Sequence, residues 1–200
     1  MKILLTLFTL LLLSVNSPFI ESVSIQVEAS ADDGRELSNT ANNIISTSAP
    51  LNDYPTTTGR WGGARFLSVA IPRSAQIISA TIVANDTTGG RVIDVTIFAQ
   101  AADNPSAFNT TAADLSGRAR STASVEWDVA STANGEETSP SIVTIIQETV
   151  NRPGYAINNA IAIILQMNAN NTCFSRSFDG NPTKALKLDI SFRRKLISLF

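Results

Sequence analysis

Three acids, Asp32, Asp33 and Glu36, stand close together in the chain, and carboxylates on a turn are the ligands a hard cation such as calcium takes. The alternate-residue acid pattern of a calcium loop is absent, so the expectation is a solvated turn with Asp33-Gly34 setting the backbone, and no metal or cofactor. Trp61 lies in Gly59-Arg60-Trp61-Gly62-Gly63, where a loop indole can stack on a sugar ring and donate its N–H. Gln147, Glu148 and Arg152 fall within one helical stretch. Glycoside hydrolysis needs two carboxylates across a cleft, and here the expectation is an i,i+4 pair of Glu148 with Arg152 on a solvent-facing side. Histidine is absent and Cys173 is the one cysteine, which excludes Ser-His-Asp and Cys-His sites, imidazole metal ligands and a disulfide within one chain. No catalytic residue is assigned, and the chain is read as a non-enzyme.

The elements that would position these residues follow a leader. Lys2 precedes an apolar run over residues 3–13, too short for a membrane span and suited to a signal peptide, which is set at residues 1–21. Secretion to the extracellular space or cell surface follows, with no membrane contact once the leader is removed. A charged content of 16% and a net charge of −2 argue against a nucleic-acid partner. Apolar content of 44% in 200 residues suffices for one well-filled core, assigned to residues 31–200. Asn85, Asn109 and Asn170 open glycosylation acceptor patterns, in a chain rich enough in Asn and Thr for chance to supply them.

Residues 22–30 form a separate N-terminal strand in this reading, with Val23, Ile25 and Val27 on one face. Alternation predicts further strands over residues 65–71, 76–83, 92–99, 123–129 and 185–192, and a strand buried on both faces over 160–167. In the second of these Ile78, Ala80 and Ile82 are placed opposite Ile77. Trp127 is placed in the core beside Val125 and Val129. Residues 41–58 read as a loop with a short strand at Ile44-Ile45, and residues 86–90 as a turn. One amphipathic helix is expected from Pro140 to Asn151, capped by Ser139 and ended by Pro153-Gly154. Many short strands plus one helix predict an all-β, two-sheet sandwich, immunoglobulin-like or jelly-roll.

The ordered runs Ala31-Asp32-Asp33-Gly34, Arg65-Phe66 through Ile71-Pro72, Val125-Glu126-Trp127 and Gln147-Glu148 through Arg152-Pro153-Gly154-Tyr155 carry a resemblance. They resemble a poorly characterised family of jelly-roll or immunoglobulin-like sandwich domains in secreted bacterial, phage and environmental proteins. The resemblance implies a β-sandwich crossed by one helix, used in surface, adhesive or particle-building proteins, without an assigned active site.

The function expected is that of an extracellular structural protein, a subunit of a pilus-like fibre. Each subunit would donate its N-terminal strand, through Val23, Ile25 and Val27, to a neighbouring copy, with the polar stretch 31–58 letting the strand swing free. The partners are then copies of the same chain in a homopolymer. A carbohydrate-binding module using Trp61 is the alternative, with carbohydrate as partner. A virion decoration or fibre protein is a third reading, disfavoured by the secretion leader.

Overall fold

The clean apolar alternation of residues 92–99 and 187–193 becomes two strands, each lying between two neighbours in its sheet. The structure is a computed structural model that describes residues 19–36, 60–85, 92–130, 135–168 and 175–195. In chain order the elements are β1 (Ile20–Gln26), β2 (Asp33–Glu36), β3 (Trp61–Phe66), β4 (Gln76–Asn85), β5 (Val92–Ala99), β6 (Val125–Ala130), β7 (Glu136–Thr138), α1 (Val143–Val150), β8 (Ile161–Met167) and β9 (Lys187–Arg193). Two antiparallel sheets result, ordered β1-β9-β4-β7 and β2-β3-β8-β5-β6. The pairs β1 with β9, β3 with β8, β4 with β7 and β5 with β6 nest inside one another like the limbs of one long ribbon. Contacts of β9 with β4 and of β8 with β5 roll that ribbon into two layers. This is the jelly-roll order, with β2 added outside β3. The chain is an all-β two-sheet sandwich, and of the two topologies expected it takes the jelly roll.

Between the sheets lie Ile93, Val95 and Ile97 of β5, Ile161, Ile163 and Leu165 of β8, and Leu188, Ile190 and Phe192 of β9, with Trp127 among them. β8 is buried on both faces, as its unbroken apolar run implies. Its second face, with Ala162 and Ile164, is covered by the 101–119 loop, which lays Phe108 and Leu115 over it. Gly63 makes that cover possible. A Cβ there would sit 2.6 Å from Leu115 Cδ2 and 2.7 Å from Phe108 Cζ.

Several local expectations are corrected. β3 ends at Phe66 and not at Ile71, and the chain then bends through Ser68 at φ 51°. A bulge between Ile77 and Ser79 breaks the alternation of β4, so Ile77, Ala80 and Ile82 all face inward and Ile78 is exposed. Val129 is exposed although Trp127, on the same strand, is buried. The helix is shorter than expected, and Ser139 does not cap it. Ser139 Oγ instead accepts the Ile82 N–H at 2.9 Å and donates to the Pro140 carbonyl at 2.8 Å, stapling the approach of α1 to β4. β1 begins at Ile20, so Ile20 and Glu21, assigned to the leader, lie within a strand. The Ile44-Ile45 strand, the 86–90 turn, Cys173, Asn170 and residues 1–18 lie outside the described residues.

Phe108 and Leu115 are themselves held in place, at 4% and 0% exposure, so neither can swing aside for an added methyl at position 63. Gly63→Ala is therefore expected to destabilise the domain by about 1–3 kcal/mol, read as a lower urea midpoint at unchanged m-value.

Candidate functional site: a buried acidic clamp at the N-terminal edge

β2 contains no apolar side chain, so hydrophobic burial does not explain why Asp33-Gly34-Arg35-Glu36 forms a strand. Its pairing with β3 matches Asp33 to Ala64, Gly34 to Gly63 and Glu36 to Trp61. Since paired residues share a face, Asp33 points between the sheets and Glu36 points outward, beneath the 101–119 loop. Asp32, Asp33 and Glu36 are 2%, 0% and 1% exposed. The expected solvated turn is thus corrected: all three acids are buried and bonded to residues distant in the chain.

Glu36 accepts the Leu115 N–H at 3.0 Å, the Ser116 N–H at 2.8 Å and the Ser116 hydroxyl at 2.5 Å. Asp32 pairs with the guanidinium of Arg65, whose Nε donates to the Pro105 carbonyl at 2.9 Å. Both contacts pin the loop that covers β8. Asp33 reaches the other way, accepting the Phe178 N–H at 2.8 Å. Its second oxygen, Oδ1, is buried without a partner. Burial pushes the Asp33 carboxyl up to about 7; the Phe178 N–H opposes this, while Asp179 and Asp32 add to it. The intervening residues 27–31 are tied as well. Val27 donates its N–H to the Leu186 carbonyl at 3.0 Å, Ser30 Oγ donates to Asp179 at 2.7 Å, and the Ala31 carbonyl accepts from Phe108 N–H at 2.9 Å. With β1 at the edge of one sheet and β2 at the edge of the other, residues 20–36 close one side of the sandwich as a unit.

The strand residues Val23 and Ile25 are half-buried against the main core, and Val27 is 2% exposed. In the single chain they pack against their own domain, because β1 is paired along its length with β9, from Ile20 opposite Arg193 to Gln26 opposite Lys187. The expected swinging of β1 about residues 31–58 needs correction, since β2 intervenes and is clamped.

Trp61 is also corrected. The indole is 8% exposed, in a strand and not a loop, packed with Phe108, Leu115, Ala162 and Ile164. Arg120 lies over its ring at 4.7 Å and also over Phe98 at 5.7 Å. An indole covered in this way offers no free face to a sugar. Glu148 and Arg152 do not pair with each other. Glu148 accepts the N–H groups of Thr122 and Ala123, each at 2.8 Å, and Arg152 pairs with Asp103 at 2.7 Å. Gln147 takes the Ile77 N–H at 2.9 Å and donates to the Ala75 carbonyl at 2.8 Å, holding β4 beside its bulge. Asn109 spends its amide on Asp114 at 3.1 Å. Among the described residues no group of three His, Cys, Asp or Glu side chains is placed to hold a metal ion, and no helix is long and apolar enough to cross a membrane.

No family model and no curated protein matches the chain.

A carboxyl whose value is raised on folding binds its proton more tightly in the native state. The contribution of this proton to stability is then fully present below the ordinary value of 3.8 and is lost as pH rises through about 7, where Asp33 ionises inside the fold. The melting temperature should drop between pH 5 and pH 8 by several degrees. Asp33→Asn, which mimics the protonated form, should flatten that slope. Calorimetry of both proteins across this range checks the expectation.

Proposed function

We propose that this protein is a non-enzymatic extracellular structural subunit that polymerises into a pilus-like fibre by exchanging its N-terminal edge with a neighbouring copy. The observation that supports this reading is the construction of that edge. Residues 20–36 hold both sheets through antiparallel pairing and the acidic clamp, and residues 37–59 separate them from β3. Every contact made within one chain can be made identically by the same segment of another, so exchange costs little beyond the entropy of association. The exchange is head-to-tail if each subunit donates forward, and a head-to-tail contact that does not close grows as a filament. Val23, Ile25 and Val27 are the side chains that would enter the neighbour's core in this arrangement, with Asp33 and Glu36 fixing the register.

The ionisable and amide side chains weighed for catalysis are engaged in structural bonds: Glu148 holds Thr122 and Ala123 ahead of β6, Gln147 holds β4, and Arg152 holds Asp103. This supports the non-enzymatic reading. The burial of Trp61 beneath Arg120 removes the support for a sugar-binding module built on that indole.

Ser24 and Asp189 face each other across β1 and β9, with Ser24 Oγ donating to Asp189 at 2.6 Å. Cysteines at both positions in a Cys173→Ser background report who pairs with whom. Exchange predicts a ladder of disulfide-linked oligomers on a non-reducing gel and filaments in negative stain. A disulfide formed solely within monomers would contradict it. Ile25→Asp should abolish the ladder by placing a charge in the receiving core.

A further inference from the structure

An open cavity of about 530 Å³ lies where β9 ends, walled by Ser74, Gln76 and Gln147 and by the consecutive cations Arg193, Arg194 and Lys195. Three cations in a row are unexpected in a chain of net charge −2. Their partners differ. Arg194 is neutralised by Glu21, which accepts two bonds at 2.6 and 2.9 Å. Among the described residues neither Arg193 nor Lys195 meets a carboxylate, and the Nε of Arg193 is buried without an acceptor. With Arg194 committed to Glu21, Arg193 and Lys195 supply the positive charge at the cavity that no carboxylate among the described residues offsets. Arg193 is held in position by its strand, opposite Gln76 on β4 and Ile20 on β1. Gln147 is committed to Ile77, Ala75 and Asn151 and serves as a fixed wall.

The volume falls in the range of small-molecule sites and is far larger than a bare oxyanion needs. Besides the cations the lining residues are a serine, two glutamines and Ala75, and most of the surface they offer is methylene, which suits the C–H face of a hydroxylated ring while the polar ends meet its hydroxyls. We propose that this cavity binds an anionic saccharide, its carboxylate or sulfate held by Arg193 and Lys195 and its hydroxyls by Ser74 and Gln76. The site is separate from Trp61 and does not depend on subunit exchange.

Isothermal titration of the full chain at low ionic strength tests this with four probes: a galacturonate trimer, a sulfated disaccharide, a neutral glucose trimer and inorganic sulfate. At least one anionic saccharide should bind, and which one distinguishes a uronate from a sulfate ester. The neutral trimer should not bind, and sulfate alone should bind at least about tenfold more weakly. Arg193→Gln should weaken saccharide binding by about tenfold or more, and the exposed Lys195→Gln by about threefold. Unchanged melting curves establish that both variants fold; should Arg193→Gln not fold, Lys195→Gln decides. Absence of binding by both anionic saccharides, equal affinity for sulfate alone, or affinity unaffected by the substitutions in folded protein would each overturn the proposal.

Discussion

A carboxylate removed from water must find donors, and the N-terminal edge of this sandwich is organised by that requirement. Glu36 and Asp32 reach outward to the loop covering β8, while Asp33 reaches inward to the turn at Phe178. Breaking a buried charged contact of this kind costs about 3–5 kcal/mol, because the remaining partner is left uncompensated. That is a large share of the stability a domain of this size has. The second apolar cluster, with Trp61 beneath Arg120, is covered by that loop, which the clamp holds together with the bonds of Arg152 and Asn159 to Asp103 and of Ala160 to Asn104.

The same arrangement gives the edge an unusual balance. It is fixed by many specific bonds, yet it is contributed by one short segment at the start of the chain. The bonds specify register strongly, so a segment arriving from another copy would seat in only one way. Asp33 sets a limit on the strength of the clamp: one of its oxygens is unanswered, and near neutral pH its charge is accommodated at a cost. An edge that is specific but not maximally stable is suited to exchange, whereas an edge built from apolar residues alone would specify register poorly.

Much of the fold was legible because burial leaves a period in the sequence. The alternation of Ile93, Val95 and Ile97 and of Leu188, Ile190 and Phe192 gave the strands and their inner faces, and the unbroken run in β8 announced cover on both sides. Alternation failed at Ile78, where a bulge shifts the phase, a local irregularity settled by the neighbouring Gln147 and not by the strand itself. It failed at β2 because polar residues there form a strand through partners distant in the chain. Trp61 was misread for a related reason. Flanking glycines suggested a flexible loop, but Gly63 is required for the close approach of Leu115 and Phe108, which the sequence near Trp61 does not reveal. The acids looked solvent-facing because the donors of Asp33 and most of those of Glu36 are backbone N–H groups, which carry no sequence signature, and because Arg65, the partner of Asp32, is distant in the chain.

Amide hydrogen exchange of the native chain tests the central claim most directly. If the acidic clamp makes residues 20–36 one cooperative unit, the paired amides of β1 and β2 open together with a common free energy, and Glu36→Ala lowers protection in both strands. Protection in β1 that is independent of β2 and unmoved by Glu36→Ala would show that pairing with β9 alone holds the edge, and would contradict the account.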